Sequence, residues 1–308
     1  MNRTIRPLRL FSLLTTGVMF LVVLMGAWVT NTESGDGCGA HWPLCHGTFM
    51  PDWDYEAIVE FSHRAVAGLA GLMTVILLLW IWRALPGWRK TFWMAAGALL
   101  LVVVQGALGA MAVLWPQPKA VLALHFGISV MCFALVLLVS VLLYRGEEGP
   151  TVPAPPPLVR AIWGMALYTY LVVYLGAYVR HVDAAMACTG WPLCNGQLLP
   201  TLYGPVGANM AHRLGAALAM LLMLRLWWLA RRAAERPDLQ RGAALGLWLM
   251  VAQVLSGALF PLGYYNLLTQ MLHTGLISAF WGVLSYLCFQ VLPERRGEPA
   301  TAARAGVG

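Results

Sequence analysis

Charge is the scarcest ingredient of this chain. Of 308 residues only 11% are Asp, Glu, Lys or Arg, while 60% are apolar, so charge is less than half of the roughly 25% usual in soluble domains. A water-soluble globule is thereby excluded. With a mean hydropathy of +0.70, the apolar surface exceeds what one core of this length can hide, and the surplus must face lipid. Acidic residues are scarcer still, 13 against 20 basic ones, for a net charge of +7. In so apolar a chain that excess belongs to basic loops beside a bilayer, and nucleic-acid binding is set aside. The first apolar run also lacks a convincing A-x-A site, and the uncharged stretch 10–32 is longer than the h-region of a cleaved leader. It reads as a retained membrane helix.

What the chain does have is a series of such stretches. Others follow Arg64, Lys90, Lys119 and Arg160; a sixth apolar segment runs from about Val206 to Ala230, with Arg225 close enough to its inner end to snorkel, and none of 242–293 is charged. Pro261-Leu262-Gly263-Tyr264-Tyr265-Asn266 breaks that last run into two helices. Each of the eight segments can cross a hydrocarbon core about 30 Å thick. Arg3, Arg6 and Arg9, then Arg83, Arg89 and Lys90, Arg145 and Arg160, Arg231, Arg232, Arg236 and Arg241, and Arg295, Arg296 and Arg304 all fall on one side. Because Lys and Arg concentrate in cytoplasmic loops, both termini are expected inside, in a multi-pass protein of the plasma membrane. The opposite first loop carries Glu33, Asp36, Asp52, Asp54 and Glu56 with no basic residue.

The chain repeats itself at an interval of about 150 residues. Cys38-Gly39-Ala40-His41-Trp42-Pro43-Leu44-Cys45-His46-Gly47 returns, one residue shorter, as Cys188-Thr189-Gly190-Trp191-Pro192-Leu193-Cys194-Asn195-Gly196. Glu60-Phe61-Ser62-His63-Arg64 returns as Asn209-Met210-Ala211-His212-Arg213, and Gln105, Gly109 and His125 as Gln253, Gly257 and His273. Four crossings per half insert both halves with the same orientation. The expected fold is therefore an all-α integral membrane protein of eight transmembrane helices. They form two tandem four-helix bundles, related by a pseudo-two-fold axis along the membrane normal. The halves are 1–145 and 158–293, joined by a Pro-rich cytoplasmic linker at 146–157 and followed by a disordered cytoplasmic tail at 294–308.

His63, His125, His212 and His273 fall near the outer ends of the four even-numbered helices. One histidine in a helix is usually a hydrogen-bonded structural residue, but four in register are not, since an ionisable group within a span is costly. Two neutral imidazoles from two helices suffice as axial ligands of a heme iron. Zinc or copper would want a third or fourth donor, and neither half supplies a carboxylate and thiolate set. Gly26-Ala27, Gly106-Ala107, Gly109-Ala110, Gly176-Ala177 and Gly257-Ala258 offer either room for a flat macrocycle or close helix packing.

The halves differ where Glu60 precedes His63 by three residues and Asn209 holds the matching place before His212. A carboxylate can move protons and an amide cannot, so the first half suits chemistry and the second suits electron transfer or structure. The alternative is that Glu60 complements a helix dipole. Arg64 and Arg213 suit heme propionates or interface anchoring equally well. His41, His46 and His181 have no repeat partner and read as solvated. Cys38 with Cys45 and Cys188 with Cys194 lie on the oxidising side as disulfide pairs, either structural or open to thiol exchange. Cys132 and Cys288 read as buried apolar residues.

Taken together, Glu60-x-x-His63-Arg64, Asn209-x-x-His212-Arg213, His125, His273 and the two Trp-Pro-Leu-Cys loops resemble the heme A synthase family over nearly the full length. The resemblance implies oxidation of the C8 methyl of heme O to a formyl group, giving heme A for terminal oxidases. It implies a resident heme b on His212 and His273, substrate heme O between His63 and His125, and Glu60 as the catalytic carboxylate. Members with cysteine pairs resemble this chain more closely, which again pairs Cys38 with Cys45 and Cys188 with Cys194. Heme O synthase is the implied functional partner, alongside an electron donor that no segment specifies; a second copy of the chain is a further candidate. Two other readings account for four histidines: a di-heme b-type cytochrome carrying electrons from quinol, and a non-enzymatic heme carrier.

Overall fold

The computed structural model describes residues 5–292 apart from 52 and 116, so the tail expected at 294–308 lies outside the described residues. Eight helices follow one another: α1 (Ile5–Asn31), α2 (Tyr55–Ala84), α3 (Arg89–Leu114), α4 (Lys119–Arg145), α5 (Pro156–His181), α6 (Gly204–Arg231), α7 (Pro237–Leu259) and α8 (Leu267–Gln290). Each is long and apolar enough to cross a membrane. At 1.5 Å per residue, even the 23 residues of α7 span about 35 Å.

Local chemistry sets the ends of these helices. Proline opens α5, α6 and α7 in their first turns, where its missing N–H is not needed and its fixed φ suits the helix. The last two prolines of the stretch 146–157 thus begin α5. Gly146, with φ +89°, stops α4. In the divided last run, Gly263 takes φ +98°, and Asn266 starts α8 with a reciprocal capping box to Thr269.

In the first half α1 and α3 each pack on α2 and α4; in the second, α5 and α7 each pack on α6 and α8. Each half is thus a four-helix bundle with α2 diagonal to α4, or α6 diagonal to α8. The halves meet through α1 and α4 on one side and α5 and α8 on the other. The most buried helix is α4, with Val130, Val136, Val139, Leu142 and Leu143 almost wholly enclosed. A Cβ on Gly282 of α8 would stand 2.9 Å from Leu137 Cδ2 and 3.2 Å from Phe133 Cε1, so glycine is what lets α8 approach α4. At the loop-bearing end Arg180 of α5 donates to Asn31 Oδ1 and to the Thr30 carbonyl, both at 2.9 Å. This places a cation on the C-terminus of α1, where the helix dipole favours it. At the other end Arg145 donates to Tyr286 Oη at 2.6 Å.

Candidate functional site

Each of the four helix histidines lies against a glycine of the preceding helix. His63 faces Gly26, His125 faces Gly109, His212 faces Gly176 and His273 faces Gly257. The small-residue pairs of the odd helices thus serve as seats for imidazole rings. A Cβ built on Gly26 or Gly109 would stand 3.4 or 3.7 Å from the facing Cε1, which is ordinary to close contact. On Gly176 or Gly257 it would stand 2.7 or 3.0 Å away, which the ring could not accept without moving. The second half therefore grips its imidazoles more tightly.

The diagonal helices bring the histidines together in pairs. His63 interacts electrostatically with His125, and His273 with His212. Nδ1 of His63, His125 and His212 is buried without a hydrogen-bond partner, an expensive condition for a polar atom in an apolar interior. His273 is different. Ser256 Oγ donates to the Gln253 carbonyl at 2.9 Å, so at 2.8 Å from His273 Nδ1 it accepts the ring proton. That puts the lone pair on Nε2, where the Gln253 amide nitrogen meets it at 3.0 Å. In the first half Leu108 stands where Ser256 would be, and Gln105 turns instead to the His125 carbonyl at 2.8 Å and to Ser129 Oγ.

Over the histidine end of each bundle lies a disulfide-closed loop. Cys38 and Cys45 are joined, as are Cys188 and Cys194. Both loops contain a cis Trp–Pro bond and a two-residue hairpin in which Cys45 bridges Thr48 and Cys194 bridges Gln197. His46-Gly47 and Asn195-Gly196 all have positive φ, as a type I′ turn requires. His46 therefore does have a repeat counterpart, in the backbone position of Asn195. Gly37 lies directly on α2, where a Cβ would run into the backbone of Glu56 and Ala57.

Glu60 and the two arginines fasten these loops. Glu60 is 4% exposed; its Oε2 accepts the Cys38 N–H at 2.7 Å, and its Oε1 pairs with Arg64 Nη2. Arg64 Nη1 donates to the carbonyls of His41 and Leu44, each at 2.7 Å. In the second half Arg213 donates to Gly190, Leu193 and Cys188 carbonyls at 2.9, 3.1 and 2.9 Å. Asn209 donates to the Ala184 and Ala185 carbonyls at 2.8 and 2.9 Å, leaving its buried Oδ1 without a partner. The same position thus accepts from its loop in one half and donates to it in the other.

Several residues stay apart from these pairs. His41 and His46 belong to the first loop, with ring centroids 6.3 Å apart. His181 does not stay apart: it ends α5, is half-buried rather than solvated, and interacts electrostatically with His125. Cys132 and Cys288 are buried free thiols of α4 and α8. Ser256 escaped the sequence reading, although its place three residues after Gln253, with leucine at the matching position, was a visible break in the repeat. Among the described residues, no three of His, Cys, Asp and Glu come together as a metal-ion site. Paired imidazoles are left as the donor sets, with orphaned nitrogens and glycine-walled seats that fit heme ligation.

Residues 9–285 match the family model described as cytochrome oxidase assembly protein. The chain is 64% identical to the heme A synthase of Symbiobacterium thermophilum, over 97% of this chain and 100% of that protein. It is 41% identical to the heme A synthase of Alkalihalophilus pseudofirmus, covering 92% and 96% of the two chains, and 40% identical to that of Geobacillus kaustophilus, covering 98% and 97%. With eight apolar helices, a duplicated bundle and these full-length likenesses, the chain belongs to the cytochrome oxidase assembly protein family, alongside the heme A synthases.

Proposed function

We infer that this chain is a heme A synthase, converting the C8 methyl of heme O to a formyl group. The observation that carries this reading is the asymmetry of two otherwise matching bis-histidine bundles: a buried carboxylate one turn before His63, and an amide before His212. The first half would take the substrate heme, held by His63 and His125. The second retains a heme b on His212 and His273, whose chemistry when bound is electron transfer. Two features support that division. His212 and His273 are held more closely by their glycines, and Ser256 fixes the His273 ring through Nδ1, so that an iron at Nε2 would replace only the Gln253 amide contact. A resident cofactor benefits from a rigid seat, whereas a substrate must enter and leave.

The overall conversion is two successive hydroxylations of the methyl carbon followed by loss of water from the geminal diol. Each hydroxylation replaces C–H by C–OH either with oxygen from water, two electrons and two protons passing to an external acceptor, or with one atom of dioxygen, two electrons and two protons from an external donor reducing the other atom to water. Glu60, fixed by the Cys38 N–H and Arg64, serves as the proton-handling group beside His63. Arg64 and Arg213 spend Nη donors on the loops but have no Nε–H hydrogen bond among the described residues, and that donor is the one assigned to a propionate. Loops and disulfides face outward with both termini in the cytoplasm, as the basic residues require. Heme O synthase supplies the substrate.

The test is co-expression with a heme O synthase, followed by extraction and chromatographic separation of hemes B, O and A. Wild type should yield heme A, while Glu60→Gln should accumulate heme O or a hydroxylated intermediate. If a chain supplied with heme O gives only hemes B and O, the electron-carrying cytochrome takes its place.

A further inference from the structure

Outside the histidine bundles, one groove of the second half carries two cations that the matching positions of the first half lack. Between α5 and α6, at the end that carries both chain termini, lies a lipid-facing groove of about 390 Å³. Arg160 and Arg225 flank its mouth, and Gly164, Leu167 and Leu171 line its length along α5. Both arginines are exposed, and neither has a hydrogen bond or ion pair among the described residues. Tyr168, also on the wall, has its hydroxyl committed to the Gly215 carbonyl at 3.1 Å. On this end Asp238 is already bound by Arg236, at 2.8 and 3.0 Å.

The repeat provides an internal comparison. The interval of 150 that superposes Gly176 on Gly26 places Arg160 on Leu10, and the interval of 149 that superposes His212 on His63 places Arg225 on Ile76. Those two side chains, 58% and 39% exposed, are what a helix face turned to hydrocarbon ordinarily carries. Arg225 lies six residues before the end of α6, about 9 Å below it, where an unpaired cation is costly. Two such cations converging on one apolar groove call for an anion that also brings hydrocarbon.

We propose that this groove is a binding site for one anionic phospholipid. Its phosphate sits between Arg160 and Arg225, and one acyl chain runs along Gly164, Leu167 and Leu171. The distance from residue 160 to residue 171 along α5, about 16 Å, matches most of an extended acyl chain. A guanidinium pair suits a phosphate oxygen set, and each basic group near the membrane surface strengthens the hold on an anionic headgroup.

The full-length protein, purified and delipidated in detergent, is titrated with phosphatidylglycerol or phosphatidylcholine and examined by native mass spectrometry. Wild type should prefer phosphatidylglycerol by roughly 30-fold, the product of two such basic groups. Arg160→Gln and Arg225→Gln should each lower that preference to about five-fold. Gly164→Leu keeps both cations but fills the groove; no atom lies within 4 Å of its Cβ position, so the fold should be retained while lipid retention falls. Equal binding of the two lipids by wild type, an unchanged preference in both Gln variants, or displacement of the lipid by millimolar inorganic phosphate would each overturn the proposal, the last by making the site one for free anions.

Discussion

The backbone N–H of Cys38 donates to Glu60 Oε2 at 2.7 Å, tying the disulfide loop to the buried carboxylate one turn before His63. The other oxygen pairs with Arg64, which itself holds the loop through the His41 and Leu44 carbonyls. Loop position and carboxylate position are thus one variable in this half.

Glu60→Ala would leave the Cys38 N–H unpaired and Arg64 without a counter-charge at 12% side-chain exposure. Breaking such a buried pair costs about 3 kcal/mol. Asn209→Ala removes only neutral bonds and also deletes an unpartnered Oδ1, for about 1 kcal/mol. Thermal unfolding in detergent should therefore show Glu60→Ala melting below Asn209→Ala. The reverse order would mean that the ion pair does not hold the loop.

The glycine seats make a prediction that separates the halves. Gly176→Ala puts a methyl 2.7 Å from His212 Cε1, and the resulting overpacking should cost about 1–3 kcal/mol and displace the ring. The low-spin heme absorbance of the purified protein should fall. Gly26→Ala, at 3.4 Å from His63 Cε1, should leave that absorbance intact. Equal loss in both variants would assign the resident heme wrongly.

Ser256→Ala deletes the acceptor of the His273 Nδ1 proton. Outer-shell partners of this kind change metal-site affinity by about 10- to 100-fold. Heme should leave this variant faster on dilution into heme-scavenging apoprotein. Its midpoint potential should rise, because an imidazole that has lost an acceptor for its proton donates less electron density to iron. Redox titration reads the second effect independently of any product yield.

The Cys188–Cys194 bridge closes a loop of only a few residues, so on the chain-entropy model it contributes about 2 kcal/mol. Replacing both by serine should lower the melting temperature, yet retain the heme spectrum, because Arg213 still holds the Gly190 and Leu193 carbonyls. If the spectrum disappears with the bridge, the covalent link rather than Arg213 positions the loop over the site.

Periodic features carried furthest from sequence to structure. The apolar segments became eight helices, and the repeat placed every landmark histidine, because span length and duplication are properties of the chain in one dimension. The Cys pairs were legible for the same reason: their partners are near in sequence. Directions of hydrogen bonds were not. That Glu60 accepts from Cys38 while Asn209 donates to Ala184 depends on which backbone atom the loop presents, and no spacing rule encodes it. Neither reading of Arg64 and Arg213, propionate partner or interface anchor, contained the loop carbonyls that both arginines hold. The Arg180 tie to Asn31 joins residues 149 apart, and only the docking of the two halves reveals it.

Because each imidazole faces a glycine of the preceding helix, part of its placement is registered against main chain. Main-chain position changes little when neighbouring side chains are exchanged. The surrounding lipid-facing surface is therefore free to drift among Leu, Val, Ile, Ala and Phe without carrying the ligand geometry with it. The site should tolerate extensive substitution a few ångströms away, and almost none at two hydrogen atoms, the Hα positions where Gly176 and Gly257 would otherwise bear a carbon.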